Sequence, residues 1–288
     1  MTLKRYKQIT AGVFGLWLAS LFVTLFGLIS VFRTHTVVSV LDVGQGDSIL
    51  ITTRAHQHIL IDGGPDASVL SALGRELPFF ARSIDVVIAT HPDADHISGL
   101  PAVLERYHVP LVIHPGIAHD SAVYKTFLET VSARAVSVHY ADGPIDLVLD
   151  DETKLRILYP LTSFVGQDVE DNNDVSVVAQ FDYAGLRVLL TGDASVAVEN
   201  TLIAHYGGSL KSDVLKFGHH GSDTSSGEIF LDAVAPEFGI FSVGARNRYN
   251  HPSYRIVRRV EQFGIPFLRT DLHGTVRLVF DNEHIIVE

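Results

Sequence analysis

The sequence predicts an α/β fold of packed sheets with helices outside, following one apolar N-terminal segment. Three observations carry this reading. Short β-branched runs recur throughout residues 35–288, helical patterns fall between only some of them, and one long stretch near the N-terminus has no charge. The chain has 288 residues, 47% of them apolar and 19% charged, which excludes a disordered or linker-like polymer and leaves enough length for a large core. No internal repeat or low-complexity segment is visible.

The uncharged stretch runs from Ile9 to Phe32, after Lys4, Arg5 and Lys7. As a helix its 24 residues would span ~36 Å, enough for a ~30 Å hydrocarbon layer. Residues 1–33 are therefore read as a basic segment and a transmembrane anchor, and residues 34–288 as one domain. The basic flank places the N-terminus in the cytoplasm and the body outside, in a single-pass cell-membrane protein. A cleaved signal peptide is the rival reading, but its apolar region is normally shorter and ends in small residues. A buried core helix fits less well, because the run is apolar on every face.

Within the body, strands are expected at Val37–Val43, Ser48–Thr52, His58–Ile61, Ile84–Ala89, Leu111–His114, Lys154–Tyr159, Ser176–Tyr183, Leu186–Thr191, Asp213–Phe217, Phe238–Val243, Thr275–Phe280 and Ile285–Val287. Helical patterns occupy Ala67–Leu77, His96–Tyr107, Ser121–Ser132, Ala194–His205, Gly227–Ala233 and Ser253–Phe263. The first three strands form a meander, and Ala184-Gly185 joins a hairpin.

Chemistry-bearing residues cluster where strands end. Thr90-His91-Pro92-Asp93-Ala94-Asp95-His96 places four metal-ligand side chains on one strand-to-helix loop, since Pro92 stops the strand. A helix-capping role explains one Asp but not two His and two Asp in six residues. Lys216-Phe217-Gly218-His219-His220-Gly221-Ser222 sets two histidines between glycines, and strand alternation would aim only one of them at a strand-end pocket. Asp193 ends the apolar run Leu189-Leu190-Thr191-Gly192, a costly place for a carboxylate unless it is paired, capping a helix or bound to metal. Asp62, before Gly63-Gly64, reads mainly as support for a turn and pocket wall.

In combination, LDVGQGDSILI (41–51), IDGG (61–64), THPDADHISGL (90–100), NDVS (173–176), LLTGD (189–193), KFGHHGS (216–222) and NRYNHP (247–252) resemble the metallo-β-lactamase-like hydrolase domain of the ComEC-type competence proteins. The resemblance covers about residues 37–281. It implies a four-layer αββα metallo-β-lactamase-like sandwich with two divalent cations at the sheet ends. His91, Asp95 and His96 match the superfamily pattern H-x-H-x-D-H, with Asp93 in place of the middle His. Asp193 fits the bridging carboxylate and His219 the last ligand, with His220 its competitor. The superfamily's further histidine has no counterpart, and Asn173 or Asp174 stands roughly there. His91 and Asp93 would hold one ion and Asp95 and His96 the other.

That arrangement implies a metal-dependent hydrolase acting through a hydroxide held between the ions. Nitrogen and carboxylate donors suit Zn²⁺ or Mn²⁺, and the added carboxylate at Asp93 favours Mn²⁺. Asp95, Lys216, His220 and His251 are the expected catalytic groups. Arg246, Asn247, Arg248 and Tyr249 are the expected substrate contacts, with Asp42, Gln45, Gly46 and Asp47 bracing the site.

Composition limits the substrates. No cysteine is present, which excludes thiol catalysis, disulfides and cysteine-held metals. Residues 1–33 hold four basic and no acidic side chains, so the remainder carries 18 basic against 33 acidic. Such a body should not grip long duplex DNA through a broad basic face, and short or single-stranded DNA or a small phosphodiester fits better. A hydrolase of phosphocholine-type or other esters or lactones is the alternative. A non-catalytic accessory protein of DNA uptake is a third class. One apolar span is no polytopic channel, so any DNA channel would be a separate protein.

Overall fold

The computed structural model describes residues 14–24, 35–281 and 283–288. The chain divides into Met1–His35 and Thr36–Glu288. In the first unit residues 14–24 form a helix (α1) with Phe14, Leu16, Trp17 and Phe22 exposed. The expected anchor, residues 9–32, extends beyond this helix on both sides, and residues 9–13 and 25–32 lie outside the described residues. Among the described residues no helix is long and apolar enough to cross a membrane.

The second unit holds two mixed sheets. The first contains β1 (Thr36–Val40), β2 (Ile49–Thr52), β3 (His58–Ile61), β4 (Val86–Ile88), β5 (Leu111–His114), β6 (Ser137–Tyr140), β14 (Val276–Phe280) and β15 (Ile285–Val287). Their order is β15-β14-β1-β2-β3-β4-β5-β6. The second contains β7 (Ile145–Val148), β8 (Thr153–Tyr159), β9 (Val178–Tyr183), β10 (Leu186–Leu190), β11 (Val214–Lys216), β12 (Phe238–Phe241) and β13 (Phe267–Arg269), in reverse numerical order from β13 to β7. The expected meander and the β9–β10 hairpin are both present, the latter with Tyr183 opposite Leu186.

Side-chain alternation divides the apolar residues among three layers. On β2, Ile49 and Ile51 face the second sheet and share a core with Phe181, Tyr183, Val188 and Leu190. Leu50 faces the other way, against Val69 and Leu73 of α2 (Val69–Glu76), Leu100 and Val103 of α4 (Leu100–Arg106) and Phe127 of α5 (Ala122–Ala133). Leu189, Leu215 and Phe241 pack against α6 (Val196–Tyr206), α7 (Glu228–Val234) and α8 (Tyr254–Gln262) through Val198, Leu202, Phe230, Ile256 and Val260. The result is the expected helix–sheet–sheet–helix sandwich.

Strand direction then places the site. β3 to β6 run parallel, as do β10 to β13, so the C-terminal ends within each set lie at one edge. Asp62 follows β3, His91 follows β4, Asp193 follows β10, His219 follows β11 and Ser242 follows β12. Residues as far apart in sequence as Asp62 and Ser242 are thereby brought to one edge without any local signal of it.

Candidate metal centre

Five loops build the centre. After β4 the chain passes Thr90 and His91 and enters the short helix α3 (Ala94–Ile97) at Asp93. Asp93 stands at the helix start, but its side chain makes no capping hydrogen bond. Helix α6 is capped by Ser195, whose Oγ accepts from the Val198 amide, so Asp193 is not needed as a cap either. The competing reading of both carboxylates as helix caps does not hold.

His96 is fixed from behind. Its Nδ1 lies 2.7 Å from Asp62 Oδ2, and Asp62 also accepts from the Thr90 amide (2.8 Å) and hydroxyl (2.7 Å). This is the support role expected of Asp62. The His91 Nδ1 is 3.0 Å from Thr90 Oγ1, and the His220 Nδ1 is 2.8 Å from the Ser242 carbonyl. With each Nδ1 engaged, the three Nε2 atoms point forward. All three are buried and have no hydrogen-bond partner.

Carboxylates meet them. Asp193 Oδ2 lies 3.3 Å from His96 Nε2, 3.5 Å from His220 Nε2 and 3.7 Å from His219 Nε2. Asp95 Oδ2 lies 3.4 Å from His220 Nε2. Ligand atoms of His91, His96 and Asp193 all fall within 4.8 Å of one another, as do those of Asp95, His96 and His220, and those of Asp47, Asp193 and His220. A buried polar atom without a partner costs ~1–3 kcal/mol, and three unpartnered imidazole nitrogens in overlapping clusters around Asp193 make an expensive arrangement for structure alone. Nitrogen and carboxylate oxygen at this spacing fit a divalent cation such as Zn²⁺ or Mn²⁺.

The electrostatics agree. Burial works against the charge on His96, but Asp193 and Asp62 outweigh it and hold the imidazole well above its ordinary range. Burial likewise opposes charge on His220, and Asp193 and Asp47 push it up to about 9. His91 is driven down to about 4 by burial and then by His96. Burial raises Asp95 and Asp193, yet the neighbouring imidazoles bring Asp95 to about 2 and Asp193 well below the usual carboxylate range. The carboxylates demand positive charge at this point, which a cation bound to neutral imidazoles would supply.

Several residues sit differently from expectation. His220, not His219, enters the converging groups; His219 is partly exposed, and its Nδ1 faces Thr224 Oγ1 at 2.9 Å. Strand alternation gave no guide, because His219 (φ 48°) and His220 (φ 54°) both adopt left-handed backbone beyond the strand. Lys216 is fully buried: its ammonium pairs with Asp47 and donates to the Gly192 carbonyl at 3.1 Å, so it braces the loops instead of facing substrate. Lys216 and His220 also outweigh the effect of burial on Asp47, whose carboxyl stays well below its usual range.

Asn247 is likewise spent within its own loop. Its amide donates to the Gly244 and His251 carbonyls and its oxygen accepts from the His251 amide. Asp174 Oδ1 accepts from Ser195 Oγ at 2.5 Å, away from any ligand role, while the buried Asn173 Oδ1 has no partner. Asp93 belongs to none of the converging groups found among the described residues; its Oδ2 is 3.8 Å from His91 Nε2.

Of the residues expected to brace the site, Gln45, Gly46 and Asp47 do so and Asp42 does not. Asp47 braces the centre through Lys216, and Gln45 Oε1 accepts from the Gly244 amide at 3.1 Å. A Cβ on Gly46 would stand 2.0 Å from the Asp95 carbonyl, so only glycine permits that approach. Asp42 is exposed and accepts from the Gly44 amide within its own turn. His251 faces the cluster, its ring 5.7 Å from that of His219 and 6.4 Å from that of His220. Its Nδ1 is buried without a partner, and burial with its two neighbours lowers it to about 4. Arg246, Arg248 and Tyr249 are exposed at the rim; Tyr249 stacks on His251 (5.7 Å), and the Arg248 guanidinium lies 4.9 Å over the Tyr249 ring. Sequence reading missed Asn172, whose amide donates to Asp93 Oδ1 at 2.6 Å. Its place beside Asn173 was the only signal.

Comparison with known proteins fits this geometry. Residues 41–244 match the Metallo-beta-lactamase superfamily. The chain is 33% identical over 249 residues to Competence protein ComA of Neisseria gonorrhoeae, covering 85% of this chain and 32% of that protein. It is 30% identical over 264 residues to ComE operon protein 3 of Bacillus subtilis, covering 85% and 33%. The chain therefore spans about a third of the length of these relatives. Among solved structures, Igni18, a metallo hydrolase from Ignicoccus hospitalis, superposes with TM-score 0.56 at 15% identity, covering 85% of this chain and all of that one. CmlA, a diiron beta-hydroxylase from Streptomyces venezuelae, gives TM-score 0.52 at 15% identity over 86% of this chain and 54% of that one. At such identities these two share the fold alone. The chain belongs to the metallo-beta-lactamase superfamily and has its homologues among the ComEC-type competence proteins.

Proposed function

We propose that this protein is a metal-dependent phosphodiesterase that acts on short or single-stranded DNA in connection with DNA uptake. The observation that carries the reading is the convergence of the unpartnered Nε2 atoms of His91, His96 and His220 on Asp193 and Asp95. Divalent cations bound there would polarise a phosphoryl oxygen and lower the pKa of a water molecule. A carboxylate-rich donor set suits hard phosphoryl oxygen, which favours phosphate esters and Mn²⁺ or Zn²⁺. The competence and recombination proteins among the relatives support the link to DNA.

The chain's own groups have separate tasks. Asp62, Thr90 and the Ser242 carbonyl orient the three imidazoles. His251 is neutral at ordinary pH and turned towards the cluster, so it would hydrogen-bond a substrate oxygen. Arg246 and Arg248 bring positive charge to the rim of an otherwise acidic body. Residues 9–32 are proposed to anchor the protein in the cell membrane with the body outside; protease added to intact cells should then digest the body, and full protection would reverse the orientation.

The activity is tested with the full-length protein on single-stranded DNA, duplex DNA, bis-p-nitrophenyl phosphate, phosphocholine esters and lactones, each with Zn²⁺ and with Mn²⁺. Cleavage of phosphodiesters supports the reading. Turnover of lactones or other esters with no phosphodiester cleaved would replace it.

A further inference from the structure

The expected donors do not form two equivalent sets. Asp95, His96 and His220 converge, with Asp193 Oδ2 within 3.5 Å of both imidazole Nε2 atoms, and all but Asp95 are buried. The other side offers His91, Asp193 and Asp93, and Asp93 is partly exposed and approaches only His91, at 3.8 Å. A cation on that side depends on where the Asp93 carboxylate is held.

Two residues hold it. The Asn172 amide nitrogen donates one hydrogen to Asp93 Oδ1 at 2.6 Å and the other to His119 Nε2 at 3.1 Å. The carboxylate fixes the amide orientation, since a turned amide would set oxygen against oxygen. An amide NH₂ only donates, so His119 Nε2 accepts there, and the Ser121 amide lies 3.4 Å from the other ring nitrogen, Nδ1. That nitrogen lies 3.1 Å from Ser121 Oγ, the cap of α5, which in turn accepts from the Tyr124 amide. A chain of contacts thus runs from the start of α5 through His119 and Asn172 to Asp93. It ties up Oδ1 and leaves Oδ2 facing His91.

We propose that His119 and Asn172 are positioning residues that set the occupancy of the cation position at His91 and Asp93, so that the two positions fill unequally. The position at Asp95, His96, Asp193 and His220 fills first. The outer one is weaker and depends on the relay, because outer contacts of this kind are worth ~10–100-fold in metal affinity. This rests on the metal reading above and adds to it which position is conditional and what conditions it.

Calorimetric titration of full-length protein with Mn²⁺ alone tests the relay without any activity measurement. Wild type should show two stages. Asn172→Ala and His119→Ala should weaken only the second, by ~10–100-fold. His119→Gln keeps an acceptor for the Asn172 amide and should recover that stage to within a few-fold, which a general packing defect would not allow. Two equal stages in wild type, an unchanged second stage in Asn172→Ala, or parallel weakening of both stages would overturn the proposal. Failure of wild type to bind any cation would instead remove the metal reading itself.

Discussion

Asp193 and Glu199 stand six positions apart, are equally buried, and have opposite surroundings. Both Glu199 oxygens accept backbone hydrogen bonds that lock the entry of α7 to α6: Oε1 from the Ser226 amide at 2.5 Å and Oε2 from the Gly227 amide at 2.9 Å. Asp193 Oδ1 has no hydrogen-bond partner, and Oδ2 faces three imidazole nitrogens at 3.3 to 3.7 Å. A buried carboxylate met by fixed N–H donors is structural. One surrounded by orphaned nitrogens at ligand spacing is suited to a cation.

The largest effect should come from the side chains around Asp193. His220→Ala should cost ~100-fold or more in metal-dependent hydrolysis and in metal affinity, and His219→Ala much less. Steady-state rates with matched metal titrations check this, and the reverse order would restore His219 as the ligand.

Changes at Glu199 should instead alter stability and leave metal content alone. Glu199→Ala strands two buried amides and should cost ~2–4 kcal/mol in chemical denaturation. Burial pushes Glu199 up to about 7, despite the amides and Arg259 that pull it down. Its folded form therefore keeps a proton that the unfolded chain releases near 4.5, so stability should fall as pH rises from about 4.5 to 7 and level off above. The slope amounts to roughly 3 kcal/mol across that window and should be absent in Glu199→Gln. Unfolding midpoints at a series of pH values decide it; a slope unchanged in the variant would place its source elsewhere.

The smallest effect lies at the rim. Arg246→Ala/Arg248→Ala should raise KM for DNA several-fold, raise it less for a small phosphodiester and leave kcat nearly unchanged, because exposed cations act through screened attraction. Equal shifts for both substrates would argue against a polyanion contact.

The sequence showed the loop at 90–96 and the Asp193 strand end because neighbours in the chain carried them. The partnerships were hidden: Asp62 with His96 and Asp47 with Lys216 join residues 34 and 169 positions apart. Edge strands were hidden for another reason. Ser137–Tyr140 is exposed along its whole length and Ile145–Val148 half so, leaving little apolar pattern to read. One helix was expected over His96–Tyr107, but the chain forms α3 and α4 with a break at Gly99, where the backbone passes so close that a Cβ would stand 2.0 Å from the Gly63 carbonyl. Phe267–Arg269 and the turn of helix at Thr270–His273 (α9) are too short to carry a period.

The central claim is that the buried polar atoms around Asp193 hold divalent cations. Asp193→Asn preserves shape and removes the shared charge. Elemental analysis of purified full-length wild type and Asp193→Asn, each equilibrated with Mn²⁺ or Zn²⁺, tests the claim most directly. Wild type should bind divalent cation, approaching two ions per chain at saturation, and the variant should lose most of it while it remains folded. Equal metal content in the two proteins would contradict it.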